Sequence, residues 1–282
     1  MARKSAIFSS STLLLCFFLL CSDALADEAS EFSVSSNIGI TSDYTSRGLR
    51  MSWGEPAIQL GVDLLHQSGW YVSAWGSQVS DDYYANGTLE LDLYLGHGGS
   101  LTDLIAYDFG VGAYFYPGAN YSHAAPKGAY PDKRYDTVEA YLGFTYDWLT
   151  LKYSVCITDY FGYDERTAPV ATWNSGIVGG VHAGNGTRGS SYLEANADFD
   201  LGSAFTLGLH AGLQLVTNSS NLSYSDYRVS LAREVTSGWS VSVAVTTTQG
   251  AEIYNNFLSV AGNGRVKNIG GTHWQAYLNK AF

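Results

Sequence analysis

Cysteine is almost absent from this chain: Cys16 and Cys21 lie near the amino terminus, and Cys156 stands alone in all that follows. Once the first 26 residues are set aside no internal disulfide can form, so stability must come from a large core or from a closed sheet. Basic residues are also few. Without Arg3, Lys4 and Asp23 the chain carries 13 basic and 25 acidic residues, a net charge of −12, which argues against nucleic acid as a partner. Long apolar runs are missing as well, since nothing beyond residue 26 approaches the roughly 18 unbroken apolar residues of a membrane-spanning helix. A membrane crossing by this chain has to be made by the strands of a barrel. Prolines number only 5 and charged residues only 15%, against 31 glycines, 21 tyrosines and 7 tryptophans, a balance suited to a β protein with aromatic surface belts.

What is present begins at the amino terminus, where Arg3 and Lys4 precede an apolar run over 13–20 and the small-residue triplet Ala24, Leu25, Ala26. That is the pattern of a secretory signal peptide, with cleavage expected after Ala26. Leu15 and Leu20 stand before the two early cysteines, where a lipoprotein signal requires a small residue, so no lipid anchor is expected. The expected organisation is a signal peptide over 1–26 and one exported domain over 27–282.

The strands of an antiparallel membrane barrel alternate over about ten residues, apolar toward lipid and polar toward the lumen. Leu89, Leu91, Leu93 and Leu95 alternate with Glu90, Asp92 and Tyr94; Val138, Ala140, Leu142 and Phe144 alternate with Glu139, Tyr141 and Gly143. The same pattern recurs along the chain, and counting the segments predicts an all-β, up-and-down antiparallel transmembrane barrel of about twelve strands. The connections alternate too. Short links at 67–69, 98–103, 147–148, 200–204 and 236–238 separate longer ones at 45–56, 80–88, 117–135, 161–190, 217–225 and 250–272. Short periplasmic turns and long external loops account for this, whereas a soluble sandwich has no reason to sort its loops. Trp274, Ala276, Leu278 and the terminal Phe282 share one face, which resembles the carboxy-terminal signal by which the barrel assembly machinery takes up its clients. Lys280 departs from that pattern, and a lysine at the interface can snorkel.

In the first hairpin Ser42, Asp43, Tyr44, Arg47, Gly48, Ser52, Pro56, Ala57, Gln59 and Gly61, followed by Gly69, Trp70, Tyr71, Trp75, Gly76 and Ser77, resemble the TorF-type porin family of Gram-negative bacteria. The motifs cover about the first third of the chain, and the remainder matches in strand layout. The resemblance implies an outer-membrane barrel with a channel role and leaves the solute undefined.

Several motifs have plainer readings. Asp43 and Arg47 face each other across a turn, and a latch that shapes the loop is expected rather than a ligand contact at the pore mouth. Gly184, Gly186 and Gly189 fit the dinucleotide-binding glycine pattern, but no parallel strand feeds it and no amphipathic helix follows. Five Asn-x-Ser/Thr triplets, at Asn86, Asn120, Asn185, Asn218 and Asn221, read as polar external loops. No His or Cys pair has metal-ligand spacing, so no cofactor is expected, and Asp81 with Asp82 reads as a solvated acidic loop. The competing class is an outer-membrane hydrolase, protease or lipase, for which His123, His182, Asp132, Asp136, Asp159 and Asp164 are the residues that could meet above the rim. A non-conducting structural or adhesion barrel is a further alternative.

The lumen is the informative surface. Alternation sends Asp63, Glu90, Asp92, Asp108, Glu139, Glu194 and Asp198 inward against Lys152 and Arg228, with His210 on the same face. Unpaired carboxylates in dry protein cost several kcal/mol each, so water must reach them, and Gly110, Gly112, Gly143 and Gly208 leave room for it. Lys152 and Asp198 lie at similar heights and are expected to pair. The expected function is passive diffusion of small hydrophilic solutes or ions, with cations preferred. Lipid and lipopolysaccharide would surround the barrel. Whether the loops 117–135 or 161–190 fold inward is left open.

Overall fold

The computed structural model describes residues 31–167, 186–250 and 252–282. The segment expected to be a signal peptide, His182, Gly184 and Asn185 lie outside the described residues. Twelve long strands form one closed antiparallel barrel in which every strand pairs with its neighbours in sequence and the last pairs with the first. They are β1 Phe32–Thr41, β2 Ala57–His66, β3 Trp70–Gln78, β4 Leu89–Ser100, β5 Ile105–Phe115 and β6 Thr137–Tyr146. The second half comprises β7 Leu149–Cys156, β8 Ser191–Gly202, β9 Phe205–Leu215, β10 Tyr224–Thr236, β11 Trp239–Gln249 and β12 His273–Ala281. Closure joins Ile38 to Lys280 and Thr41 to Tyr277 in register. The alternation in sequence is therefore realised strand by strand, and the even count is the one that puts both chain ends at the same rim.

Apolar side chains point outward. Val34, Leu95 and Val243 are 69%, 55% and 51% exposed, in a belt that continues through Leu60, Leu142 and Leu193. Exposing this much aliphatic surface to water would be prohibitive for a soluble domain, and it is what a hydrocarbon surround requires. At the short-turn rim the belt ends in exposed aromatics, Trp70, Tyr146, Trp148, Trp239 and Phe282. Lys280 belongs to this girdle: its ammonium donates to the carbonyl of Ser237 at 3.0 Å and lies near the rings of Trp239 and Phe282, the snorkelling geometry expected at an interface. Gly238 closes the last turn with φ +73, and a Cβ there would collide with the Ala281 carbonyl.

The buried apolar cluster lies at the opposite rim, among the long loops, and not between sheets. Leu49, Met51 and Trp53 of the first loop, Tyr84 of the second, Tyr121 and Tyr135 of the third and Tyr254 of the last are all nearly inaccessible. Tyr84 stacks on Tyr116 at 4.1 Å and Tyr121 on Tyr135 at 4.0 Å; such pairs are worth about 0.5 to 1.5 kcal/mol beyond their buried area. The loops thus make a packed cap over the outer mouth.

The register predicts a sharp asymmetry within one strand. Val243→Arg places a charge against hydrocarbon and should cost about 2 to 4 kcal/mol, whereas Ser242→Arg points inward and should cost far less. Unfolding of the two variants in lipid vesicles, compared with wild type, measures the difference; equal destabilisation would refute the assigned faces.

Candidate pore lumen and its external cap

Strand alternation places every sequence-derived lumen residue on the inner face. Glu90, Asp92, Asp108, Glu139, Lys152, Glu194 and Arg228 are buried within the barrel, and Asp63, Asp198 and His210 share their side. Their pairings differ from expectation at two points. Asp43 does not latch Arg47. It accepts from Arg50 Nε at 2.6 Å, while Arg47 reaches into the lumen and grips Glu139 with both terminal nitrogens, at 2.8 and 2.6 Å. The reason is local: Thr45–Ser46 and Leu49–Arg50 form a tight ribbon whose turn holds Arg47 and Gly48 at positive φ, 45° and 79°. That turn projects Arg47 away from Asp43 and toward the barrel axis. Gln214 Oε1 accepts a third contact at 3.2 Å, and the Tyr192 ring lies 4.4 Å beneath the guanidinium. Tyr44, beside Asp43, is buried in the cap, whereas Pro56 merely leads into β2.

Nor does Lys152 pair with Asp198. Lys152 faces Glu194 in register and stands over the Tyr141 ring at 4.3 Å, with Asp108 and Glu139 as further charged neighbours. Asp198 has Arg228 as its basic neighbour.

Two of the inward glycines expected to leave room for water, Gly110 and Gly112, are instead covered by tyrosines. The hydroxyl end of Tyr141 covers Gly110, that of Tyr71 covers Gly96, and the Tyr94 ring covers Gly112. Each glycine lets a tyrosine from the adjacent strand lie flat along the wall, and this delivers hydroxyls to carboxylates. Tyr71 donates to Asp108 at 2.7 Å, Tyr94 to Asp92 at 3.2 Å and Tyr116 to Glu90 at 2.9 Å. On the far wall His210 bridges Asn196 Oδ1 at 2.7 Å and Asp226 Oδ1 at 2.9 Å, while Tyr192 donates to Asp226 Oδ2 at 2.8 Å. Asp226 and Tyr192 escape a reading that starts β10 at Tyr227 and β8 at Leu193, inside the observed strands. Extending the alternation back from Arg228 would have found the aspartate.

Between these walls, below the first loop and Phe161, lies a cavity of about 110 Å³, counted as the space that centres of water molecules can reach. It has room for several waters or one small solute. Glu90 Oε2, Asp92 Oδ1, Trp75 Nε1 and Tyr224 Oη on its lining have no protein hydrogen-bond partner among the described residues. Buried polar groups of this kind call for water or solute.

The loop carboxylates serve the cap. Lys133 Nζ donates to Asp159 at 2.8 Å and Asp164 at 2.9 Å, Asn120 donates to Asp132, and Arg134 lies 3.6 Å from Asp136. His123 is exposed and outside hydrogen-bonding distance of these aspartates. Asp82 is not a solvated loop residue: it is 1% exposed and accepts from Ser259, Asn263 and Arg265 of the last loop. Asp81 beside it is exposed.

A closed twelve-stranded antiparallel barrel with an aliphatic outer belt, an aromatic girdle and a charged interior is a porin-like transmembrane barrel. The chain belongs to the family described as "Bacterial protein of unknown function (Gcw_chp)", whose profile matches residues 25–282. No curated protein matches the sequence. Among solved structures it is similar to the NanC porin (TM-score 0.49, 11% identity, covering 89% of this chain and 99% of that one). The KdgM porin is similar at TM-score 0.48 and 10% identity, over 88% and 99% of the two chains. The COG4313 outer membrane channel from Pseudomonas putida F1 has TM-score 0.42 and 10% identity, over 92% and 100%. At such identities the solute has to be argued from this chain's own wall.

Two outcomes test the cap. Arg47→Met leaves Glu139 buried without its cation, a loss of about 3 to 5 kcal/mol for a buried pair. Cys156 reports it, because its Sγ donates to Glu139 Oε1 at 3.4 Å. In protein starting at Asp27, small thiol reagents should label Cys156 much faster in the variant than in wild type; equal rates would show that Arg47 does not hold the mouth. The second concerns acid. Burial by itself would raise Asp164, yet hydrogen bonds from Lys133 and Arg166 hold it down at about 2. A depressed carboxylate contributes stability that is present above its ordinary pKa near 4 and lost as pH falls toward 2. Proteolysis of the loop containing Asp164 should therefore be unchanged from pH 7 to 4 and rise below it; onset at pH 6 would contradict the clamp.

Proposed function

We propose that the protein is a narrow outer-membrane channel through which small hydrophilic solutes or ions diffuse, with cations preferred. The observation that carries this reading is the inner wall. Eight carboxylates (Asp63, Glu90, Asp92, Asp108, Glu139, Glu194, Asp198, Asp226) share the barrel interior with three permanent cations, Arg47, Lys152 and Arg228; five of the eight, Asp63, Glu90, Asp92, Glu139 and Glu194, line the cavity together with Arg47 and Lys152. A wall of that sign concentrates cations and repels anions, as carboxylate rings do in selective pores. The oligogalacturonate named with one KdgM structure is a polyanion and would meet the wrong charge here. The resemblance of the first hairpin to TorF-type porins supports the channel reading. The reading includes export through a signal over 1–26 and assembly through the strand ending in Phe282, which would bring the barrel to the outer membrane, among lipid and lipopolysaccharide.

The packed cap favours a second reading, a barrel that does not conduct. A hydrolase is less well supported, because the loop aspartates are held by Lys133, Asn120 and Arg134. Planar-bilayer recording decides between the first two. Wild type should give a small conductance with a reversal potential of cation sign under a salt gradient. The preference should weaken as salt screens the wall, over a Debye length of about 10 Å at 0.1 M, and should shrink when Glu90→Gln is combined with Asp92→Asn. Anion preference, or no shift on neutralisation, would remove these carboxylates from the conducting path.

A further inference from the structure

Glu90 and Asp92 occupy successive inward positions on β4 near the outer mouth, and each is nearly inaccessible. One oxygen of each is engaged by a tyrosine, and the other, Glu90 Oε2 or Asp92 Oδ1, meets no protein donor among the described residues although both residues line the cavity. Arg47, the nearest cation, is already committed to Glu139 through both terminal nitrogens. Two adjacent carboxyl groups, each with one acceptor oxygen unmet by protein among the described residues, thus lie in the wall of a small enclosed space. Aromatic rings surround them: Trp75 and Tyr114 flank Asp92 in register on the neighbouring strands, Tyr94 follows it along β4, and Tyr44 lines the same cavity from the first loop.

This combination discriminates between cations. A bare alkali ion must shed water for two carboxylates and gains little from the aromatic walls. A quaternary ammonium suits the rings through cation–π attraction, yet it has no N–H and would leave both orphan oxygens unmet. A primary ammonium brings three donors and a positive charge on an apolar stem. It satisfies the oxygens with charge-assisted hydrogen bonds and lays its methylenes against the rings. The cavity's size admits only a small example. Resting on the cation-preferring channel reading and naming its solute, we infer that the outer lumen is a binding site for small primary amines, with Glu90 and Asp92 as the acceptors.

The test uses the folded barrel, from Asp27 to Phe282, with four probes: the diamine putrescine, its neutral isostere 1,4-butanediol, tetramethylammonium and potassium. Calorimetry in detergent should show putrescine binding at least about tenfold more tightly than tetramethylammonium or potassium, with no heat from the diol. Glu90→Gln and Asp92→Asn should each weaken putrescine about tenfold, the loss of one charge-assisted contact. Asp81→Asn, which removes the same charge from an exposed loop position, should leave it unchanged. The comparison of diamine with diol needs no variant and stands if a substitution disturbs folding. Equal affinity for diamine and diol, potassium as effective as putrescine, or undiminished binding in both carboxylate variants would overturn the assignment. Bilayer recording separates this from the channel reading. Cation-selective current that putrescine fails to block would sink the amine site alone, and amine binding to a barrel that never conducts would sink the channel alone.

Discussion

Every strand amide that faces hydrocarbon must find its partner inside the sheet, because the surrounding solvent offers none. The pairing of β1 with β12 is where that constraint is met, and the rest follows from it. With the sheet closed, the outer face is free to be aliphatic and the inner face has to hold whatever is polar. The count of twelve leaves an interior too narrow to be a wide aqueous pore and too polar to collapse into an apolar core.

What fills that interior is a set of exchanges between large and small side chains. Glycines on one strand accept tyrosines from the next, and the tyrosine hydroxyls in turn meet carboxylates. The wall therefore keeps most of its acidic groups hydrogen-bonded on one side while one oxygen of Glu90, Asp92 and Asp108 meets no protein donor among the described residues. Arg47 is the exception to this local economy. It comes from outside the sheet, on a ribbon turn, and neutralises Glu139 by a bidentate contact that no strand residue supplies.

The hydrophobic core, in the usual sense of buried apolar side chains, sits in the external loops. Trp53, Tyr84, Tyr121 and Tyr254 pack there because the barrel rim gives the loops a floor and the loops give one another walls. Asp82 with Arg265, and Lys133 with Asp159 and Asp164, tie loops distant in sequence into one body. An otherwise open mouth becomes a structured one, and the cavity beneath is lined by loop residues as well as by strands.

The strand count, the direction of each side chain and the sorting of turns from loops were legible in the sequence, since they depend only on a period of two and on where turn residues interrupt it. Leu89 through Leu95 against Glu90 and Asp92 could have meant little else. The acidic character of the lumen was legible for the same reason. The partners were not. Arg47 with Glu139, Asp82 with Arg265 and His210 with Asp226 join residues far apart along the chain, and no spacing rule links them. Arg47 turns on the positive φ of its ribbon, which directs it away from the adjacent Asp43, and the tyrosines turn on which glycine lies across the strand boundary. Periodicity decides which face a residue takes; only closure of the barrel and packing of the cap decide what it meets there.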